Sequence, residues 1–242
     1  MKTCFLTLAA AAALSVQPAR AQSVADGITE PFLDVTVSSS VSGIIGAQKF
    51  REGDFVNQDQ VIVELDKRLE ELEVMRRKLV ADNRKADVDA TRILYDNTKS
   101  VAKEELDRKE VEYQVAMVEH DMAAEQLRKR EISAPVSGTI TEFYLDVGEA
   151  CEPYQALLRL VDTRRCYFVS NMEARAAADL KPDQVVNLDI ETGGAVVRVP
   201  GRIVFLSPVV DPASGLLKVK ALFENADGRI RPGVAGSMIL RE

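Results

Sequence analysis

The chain has 242 residues, with 31 basic and 38 acidic side chains and a net charge of −7. That acidity, with 5% aromatic residues and no basic run, excludes nucleic acid as a partner and argues against adhesion to anionic lipid. One histidine and three cysteines, with no Cys-x-x-Cys or His-x-x-x-His spacing, give no metal-site signal, and no cofactor is expected.

Residues 1–21 read as a secretory signal peptide. Lys2 supplies the positive end, Phe5 to Val16 is apolar and alanine-rich, and Ala19-Arg20-Ala21 is a small-x-small cleavage site. The mature chain is expected to begin at Gln22 and to be exported. Cys4 precedes the apolar run, so no lipid anchor is predicted. Residues 22–34 are polar and read as an irregular N-terminal arm. A β-type segment follows over 35–66, in which Val35-Thr36-Val37, Val41-Ser42-Gly43-Ile44-Ile45 and Gln60-Val61-Ile62-Val63-Glu64-Leu65 are strand-like and Arg51-Glu52-Gly53-Asp54 is a turn.

Residues 67–131 contain no glycine or proline and are densely charged with both signs. Leu65, Leu69, Leu72, Leu79, Ala86, Ala90 and Ile93 recur at heptad steps, and so do Leu106, Tyr113, Met117, Ala124 and Leu127. This predicts two antiparallel helices in a coiled-coil hairpin, about 43 Å long at ~1.5 Å per residue. Its tip is expected near 96–101, with Ser100 as a candidate N-cap. One long helix, or a plain bundle, is the simpler alternative. Arg76 and Asn83 fall on the first seam, where they would loosen it, fix a register or help protomers associate side by side. His120 falls on the second seam. A half-buried, hydrogen-bonded histidine is the plainer reading, a pH sensor or metal ligand the sharper one.

The β-type segment then returns over 132–162. Val136-Ser137-Gly138-Thr139-Ile140 matches Val41-Ser42-Gly43-Ile44-Ile45, and Gly148, Gln155 and Leu160 match Gly53, Gln60 and Leu65, all at one offset of 95 residues. Two half-motifs of this size cannot bury a sheet face alone and must fold against each other. Residues 163–242 read as short strands at Cys166-Val169, Val185-Ile190, Ala195-Val199, Gly201-Phe205, Leu217-Phe223 and Gly236-Leu240, with one helical stretch from Met172 to Leu180. That spacing predicts a small β-barrel. The fold class is therefore mainly β with a long helical hairpin.

The half-motifs resemble the two halves of a biotinyl/lipoyl domain. The order half-motif, helical hairpin, half-motif, barrel resembles the periplasmic adaptor proteins, or membrane fusion proteins, of RND-type and HlyD-type export systems. The residues that carry the resemblance are Val41-Ser42-Gly43-Ile44-Ile45 with Gly53-Asp54-Phe55-Val56, and Ile132-Ser133-Ala134-Pro135-Val136-Ser137-Gly138-Thr139-Ile140 with Asp146-Val147-Gly148. In the barrel they are the run Gly201 to Pro212, Leu217-Lys218-Val219-Lys220, Asn225-Ala226-Asp227-Gly228 and Arg231-Pro232-Gly233. The resemblance implies a non-enzymatic periplasmic adaptor. It would form a homo-oligomeric conduit between an inner-membrane transporter, of RND or ABC type, and an outer-membrane channel. Efflux of small toxic compounds is the favoured cargo. The alternative is a periplasmic scaffold or regulatory binding protein with the same fold and no channel.

Two departures from the family pattern bear on function. No membrane-proximal domain is expected. At the tip, Ala102 stands where the family carries a serine. Arg92, Leu94, Asn97, Thr98 and Ser100 are the candidate partner-binding residues there. A carrier domain needs an exposed lysine between its halves, and Lys67 at that junction reads instead as the first turn of the helix. Cys151 and Cys166 would be compatible with a disulfide in an oxidising compartment, with buried free thiols as the alternative.

Overall fold

A computed structural model describes residues 24–240. The signal peptide read over 1–21, with Cys4 and the cleavage site, lies outside the described residues. The chain is mainly β and divides into two compact units. One unit comprises residues 29–167 with 222–233. The other comprises residues up to 28, 168–221 and 234 onward.

The first unit contains the repeat. Its strands are β2 (Gly43–Gln48), β3 (Phe55–Val56), β4 (Val61–Leu65), β5 (Glu131–Ser133), β6 (Gly138–Phe143) and β7 (Ala150–Cys151). It also takes in most of β1 (Val24–Ser38) and of β8 (Ala156–Glu173). The turns of the two halves repeat their hydrogen bonds at the offset of 95. Gly53 N–H donates to Ile140 O and Gly148 N–H to Ile45 O, both at 2.8 Å. Arg51 N–H is capped by the Asp54 carboxylate, and Asp146 N–H by that of Glu149, both at 2.8 Å. Asn57 N–H meets the Gln60 side-chain oxygen, and Glu152 N–H that of Gln155. Gly53 and Gly148 have φ of 91° and 95°, a region that glycine enters without steric cost. The bond from the turn glycine of one half to the strand isoleucine of the other is thus made twice. Phe55 and Val56 of β3 lie opposite Thr139 and Gly138 of β6, while Ala150 and Cys151 of β7 lie opposite Ile44 and Gly43 of β2.

The core follows the same arithmetic. Val37 and Ile132, Ile45 and Ile140, Ile62 and Leu157, and Leu65 and Leu160 are buried pairs of equivalent residues. Cys151 is the equivalent of Val56, and both are buried in this core. A thiol there acts as a small apolar group. Cys151→Val should therefore fold normally, with a stability change under about 1.5 kcal/mol in chemical denaturation. Cys151→Asp should destabilise strongly, because it places a charge where no partner exists.

The second unit carries β9 (Val185–Thr192), β10 (Ala195–Leu206) and β12 (Ala235–Ile239), with parts of β1, β8 and β11 (Leu216–Glu224). The strand order β1-β12-β9-β10-β11-β8, with a further β1–β8 pairing, closes on itself. Gly193 and Gly194, both at positive φ, turn β9 into β10, as a two-residue hairpin requires. Phe168, Leu188, Ile190, Ile203 and Met238 fill the interior.

Three sequence expectations need correction. Residues 24–34 are not an irregular arm. Val24 to Ile28 pair antiparallel with Ile239 to Ala235. Gly27 is needed there, because a Cβ would lie 2.3 Å from Val169 O. The local signal was poor and the partner strand is at the other end of the chain. Ala195-Val199 and Gly201-Phe205 are one strand, not two. Gly201 reads as a break, but it lets Leu188 pack, since a Cβ would sit 2.6 Å from its Cδ1. The helical stretch from Met172 to Leu180 shrinks to α3 (Ala174–Ala177), because β8 runs on to Glu173.

Candidate docking surfaces of the helical pair

Between β4 and β5 the chain forms α1 (Arg68–Thr98) and α2 (Lys103–Arg128), of 31 and 26 residues. Their base is tied to the β core by charge. Leu65 N–H donates to Arg130 O and Asp66 N–H to Ile44 O, both at 2.8 Å. The Arg130 guanidinium donates to Ser42 O at 2.7 Å and to Glu70 at 2.6 Å. Lys67, the residue before α1, sits between Glu131 and Glu64, and Lys49 meets Glu64 at 2.7 Å. Hydrogen bonding to Lys49, then to Lys67, holds the Glu64 carboxyl below its ordinary value, and Glu131 chiefly raises Lys67. An ammonium engaged by two carboxylates is a structural tie, unlike the free swinging lysine of a carrier domain.

The two helices run antiparallel. Arg77 of α1 meets Glu119 of α2, Arg84 meets Glu112 at 3.2 Å, and Arg92 meets Glu110 at 2.6 Å. Between these ties lie small buried residues, Ala81 and Val88 on α1 and Ala116 and Ala123 on α2. The inner face of α1 thus runs through Arg77, Ala81, Arg84 and Val88, and half-buried Val74 and Tyr95 continue it at heptad steps.

This is not the seam that apolar periodicity picks out. Leu69, Leu72, Leu79 and Ile93 are 78%, 45%, 65% and 60% exposed. Residue 79 lies roughly 200° around the helix from residue 81 at 3.6 residues per turn, so the apolar stripe points away from α2. Arg76 and Asn83 belong to this outward stripe and do not loosen the contact between the helices. On α2 the expected seam holds better: Leu106 is buried, Tyr113, Ala124 and Leu127 are half-buried, and Met117 is at the rim. A second stripe, Val111, Val115, Val118 and Met122, faces solvent. The signal that could have found the inner face is polar. Two arginines seven apart, at 77 and 84, match two glutamates seven apart, at 112 and 119.

The tip is the loop 99–102. Lys99 is in the left-handed region at φ 52°, with its ammonium 4.2 Å from the Tyr95 ring. The Thr98 hydroxyl donates to Leu94 O at 2.7 Å and lies 2.6 Å from the Ser100 hydroxyl. The structure therefore brings Asn97, Thr98 and Ser100 together, all exposed. Leu94 is 47% exposed one turn below. Arg92 is separate, held by Glu110. Ser100 is not the N-cap of α2. That position is Ala102, which has no side-chain cap. Glu104 and Glu105 in the first turn offset this by facing the positive end of the helix dipole.

Cys151 and Cys166 are both free and buried. Cys166 Sγ lies 3.5 Å from Thr163 O and 3.8 Å from the Asn225 amide nitrogen, and burial pushes its thiol up to about 11. It is inert at neutral pH. His120 is half-buried with Nδ1 3.1 Å from Asp121. Among the described residues no group of three His, Cys, Asp or Glu is placed to hold a metal, and no helix is long and apolar enough to cross a membrane.

The family model described as "RND MFP, barrel-sandwich hybrid domain" matches residues 34–163, over half of the chain, including both half-motifs and both helices. Among curated proteins, the chain is 25% identical to the multidrug resistance protein MdtE of Escherichia coli K12, covering 89% of this chain and 63% of that protein. It is 24% identical to the solvent efflux pump periplasmic linker SrpA of Pseudomonas putida, covering 89% and 60%. The chain thus spans less than two thirds of the length of these relatives. Among solved structures, it is similar to a MacA–MexA chimera carrying the Pseudomonas aeruginosa MexA α-hairpin domain, with a TM-score of 0.76 and 17% identity over 90% of this chain and 79% of that one. A putative efflux transporter from Bacteroides eggerthii gives a TM-score of 0.70 and 18% identity over 93% and 73%.

Proposed function

The chain belongs to the membrane fusion proteins of RND efflux systems, a non-enzymatic family of efflux-pump linkers, and from that premise we propose that it works as a periplasmic adaptor. In this reading α1 and α2 are a coiled-coil hairpin that projects from the barrel-sandwich hybrid, and several copies line up into a conduit. The hairpin tips face an outer-membrane channel, and the barrels face an inner-membrane transporter. Small toxic compounds are the proposed cargo, in keeping with the multidrug resistance and the solvent efflux named for the relatives.

The observation that carries this reading is the outward placement of the large apolar side chains of the helical pair. A helix pair that ends its life in water would keep Leu72, Leu79, Val115 and Met122 inside and its arginines outside. Here Arg77 and Arg84 are at the inner face and the leucines are not. Such a surface is built to be covered.

One observation favours a scaffold that does not dock to a channel. Arg92, one of the candidate partner-binding residues, is engaged by Glu110 across the pair. A photo-crosslinking amino acid at Asn97, placed in living cells, decides between the two. Capture of an outer-membrane channel protein is the expected result. Capture only of other copies of the chain, or of a soluble periplasmic protein, would overturn channel docking.

A further inference from the structure

The four-stranded sheet β5-β4-β2-β7 ends at β5, which among the described residues pairs only with β4. Ala134 N–H donates to Gln60 O at 2.9 Å and Leu65 N–H to Arg130 O at 2.8 Å, so residues 130 and 134 turn their main chain toward β4. That direction alternates along an antiparallel strand. Glu131 and Ser133 between them therefore turn theirs away. The first half does the same. Asp59 N–H donates to Ala134 O, and its equivalent Tyr154 N–H donates to Ser39 O, at 2.8 and 2.6 Å. Thr36 and Ser38, the equivalents of Glu131 and Ser133, thus point away from β8.

Both outward edges border one groove of about 360 Å³, with Thr36, Val37 and Ser38 on one side and Glu131, Ile132 and Ser133 on the other. Its walls are repeat equivalents, so it follows the join of the half-motifs. Val37 and Ile132 are buried in the core beneath it. Exposed edges are usually blunted by a charge or covered. Here the Glu131 carboxylate is drawn off to Lys67, which leaves the main chain of β5 accessible.

We propose that this groove takes an extended, acidic segment of another protein as an added strand, bonded to the main chain of Glu131 and Ser133. Strand addition draws affinity from main-chain bonds and specificity from the side chains beside them. β5 spans about 10 Å at ~3.3 Å per residue, so the added strand engages it over a short run. The hydroxyls of Thr36, Ser38 and Ser133 suit small polar or β-branched residues. Charge sets the sign of the partner. Exposed Lys129 at the α2 end of the groove makes no ion pair among the described residues, while Arg128 beside it is held by Glu125 at 2.7 Å. The inference does not rest on the adaptor reading, since a scaffold with this fold carries the same edge.

The test is a titration of the isotope-labelled full-length mature chain with the capped peptide Asp-Thr-Val-Thr-Val-Thr, followed by NMR. The expected result is a saturable shift of the Glu131 and Ser133 amides with slowed hydrogen exchange at both. The same peptide N-methylated at alternate residues should not bind. A version with Lys in place of Asp should bind more weakly, and Lys129→Ala should weaken the acidic peptide about two- to fivefold, as for an exposed ion pair. Ser133→Pro removes an outward donor, which an edge strand tolerates. It should abolish binding while exchange in β2 and β4 stays slow. Amides that do not move at millimolar peptide would overturn the proposal, as would equal binding of the N-methylated peptide. Equal binding of the Lys peptide would overturn the acidic partner. Slow exchange at Glu131 and Ser133 in the dilute chain without peptide would show the edge already covered and overturn the site. None of these outcomes bears on whether the Asn97 crosslinker captures a channel protein.

Discussion

Leu160→Ala should destabilise the barrel-sandwich hybrid by about 2–5 kcal/mol, and Leu65→Ala by a similar amount. The two leucines occupy equivalent places in the repeat and are 0% and 1% exposed. Each loses the same methyl groups from the same kind of site, so their denaturation midpoints should move together. Leu79→Ala is the control. It removes an equal volume from a residue that is 65% exposed in the single chain, so the stability of the isolated protein should barely change. If Leu79 matters, the loss will be seen in assembly. A large shift for Leu79 in the dilute monomer would mean that the outward stripe is already covered within one copy.

Arg130→Ala should free the base of the helical pair, with a loss of about 1.5–3 kcal/mol, the range for hydrogen bonds to charged groups. The guanidinium answers Ser42 O and Glu70 together, and both side chains of the ion pair are largely shielded from water, at 23% and 19% exposure. Removing it leaves Glu70 without that partner. Hydrogen exchange at Asp66 to Leu69 and at Lys129 to Glu131 should accelerate, while the β core stays protected. Arg130→Lys should not rescue. A single ammonium lacks the planar fork that spans two acceptors. Unchanged exchange in Arg130→Ala would show that Lys67 and its two glutamates hold the junction alone.

The fold was legible where the signal was internal to the chain. The offset of 95 residues predicted the repeat, and the structure extends it to core pairs and turn hydrogen bonds. It could also have predicted the state of Cys151. Carried along the repeat, that residue lands on Val56, a core position, and a core thiol need not be half of a disulfide. Residues 24–34 were illegible because Gly27 and Pro31 weaken any local strand pattern and the pairing partner is β12. The helical faces failed for a different reason. Apolar periodicity reveals that a stripe will be covered, but not by what. On α1 the most apolar stripe is left to the outside, and the face toward α2 is written in alternating arginines and small residues. The tip was legible in position, with Asn97 and Thr98 ending α1 and Ser100 in the loop that follows. The commitment of Arg92 was not, because it depends on Glu110 lying across the pair.

The doubled hydrogen bonding of the half-motifs has a consequence for the order of folding. Gly43 and Ile44 of β2 also pair with Cys151 and Ala150 of the second half, so the first half stays an unfinished sheet until the second arrives. A flexible stretch of this length between Leu65 and Glu131 would make that meeting slow, since long-range pairing must wait on loop closure. α1 and α2 shorten the wait. Helices form from near neighbours within microseconds, and once they lie side by side Leu65 is next to Arg130. The distance to be searched contracts to a few residues on either side of that point. The same helices that offer a surface to other molecules thus act first on their own chain, bringing the ends of a divided domain into register before either end can stand alone.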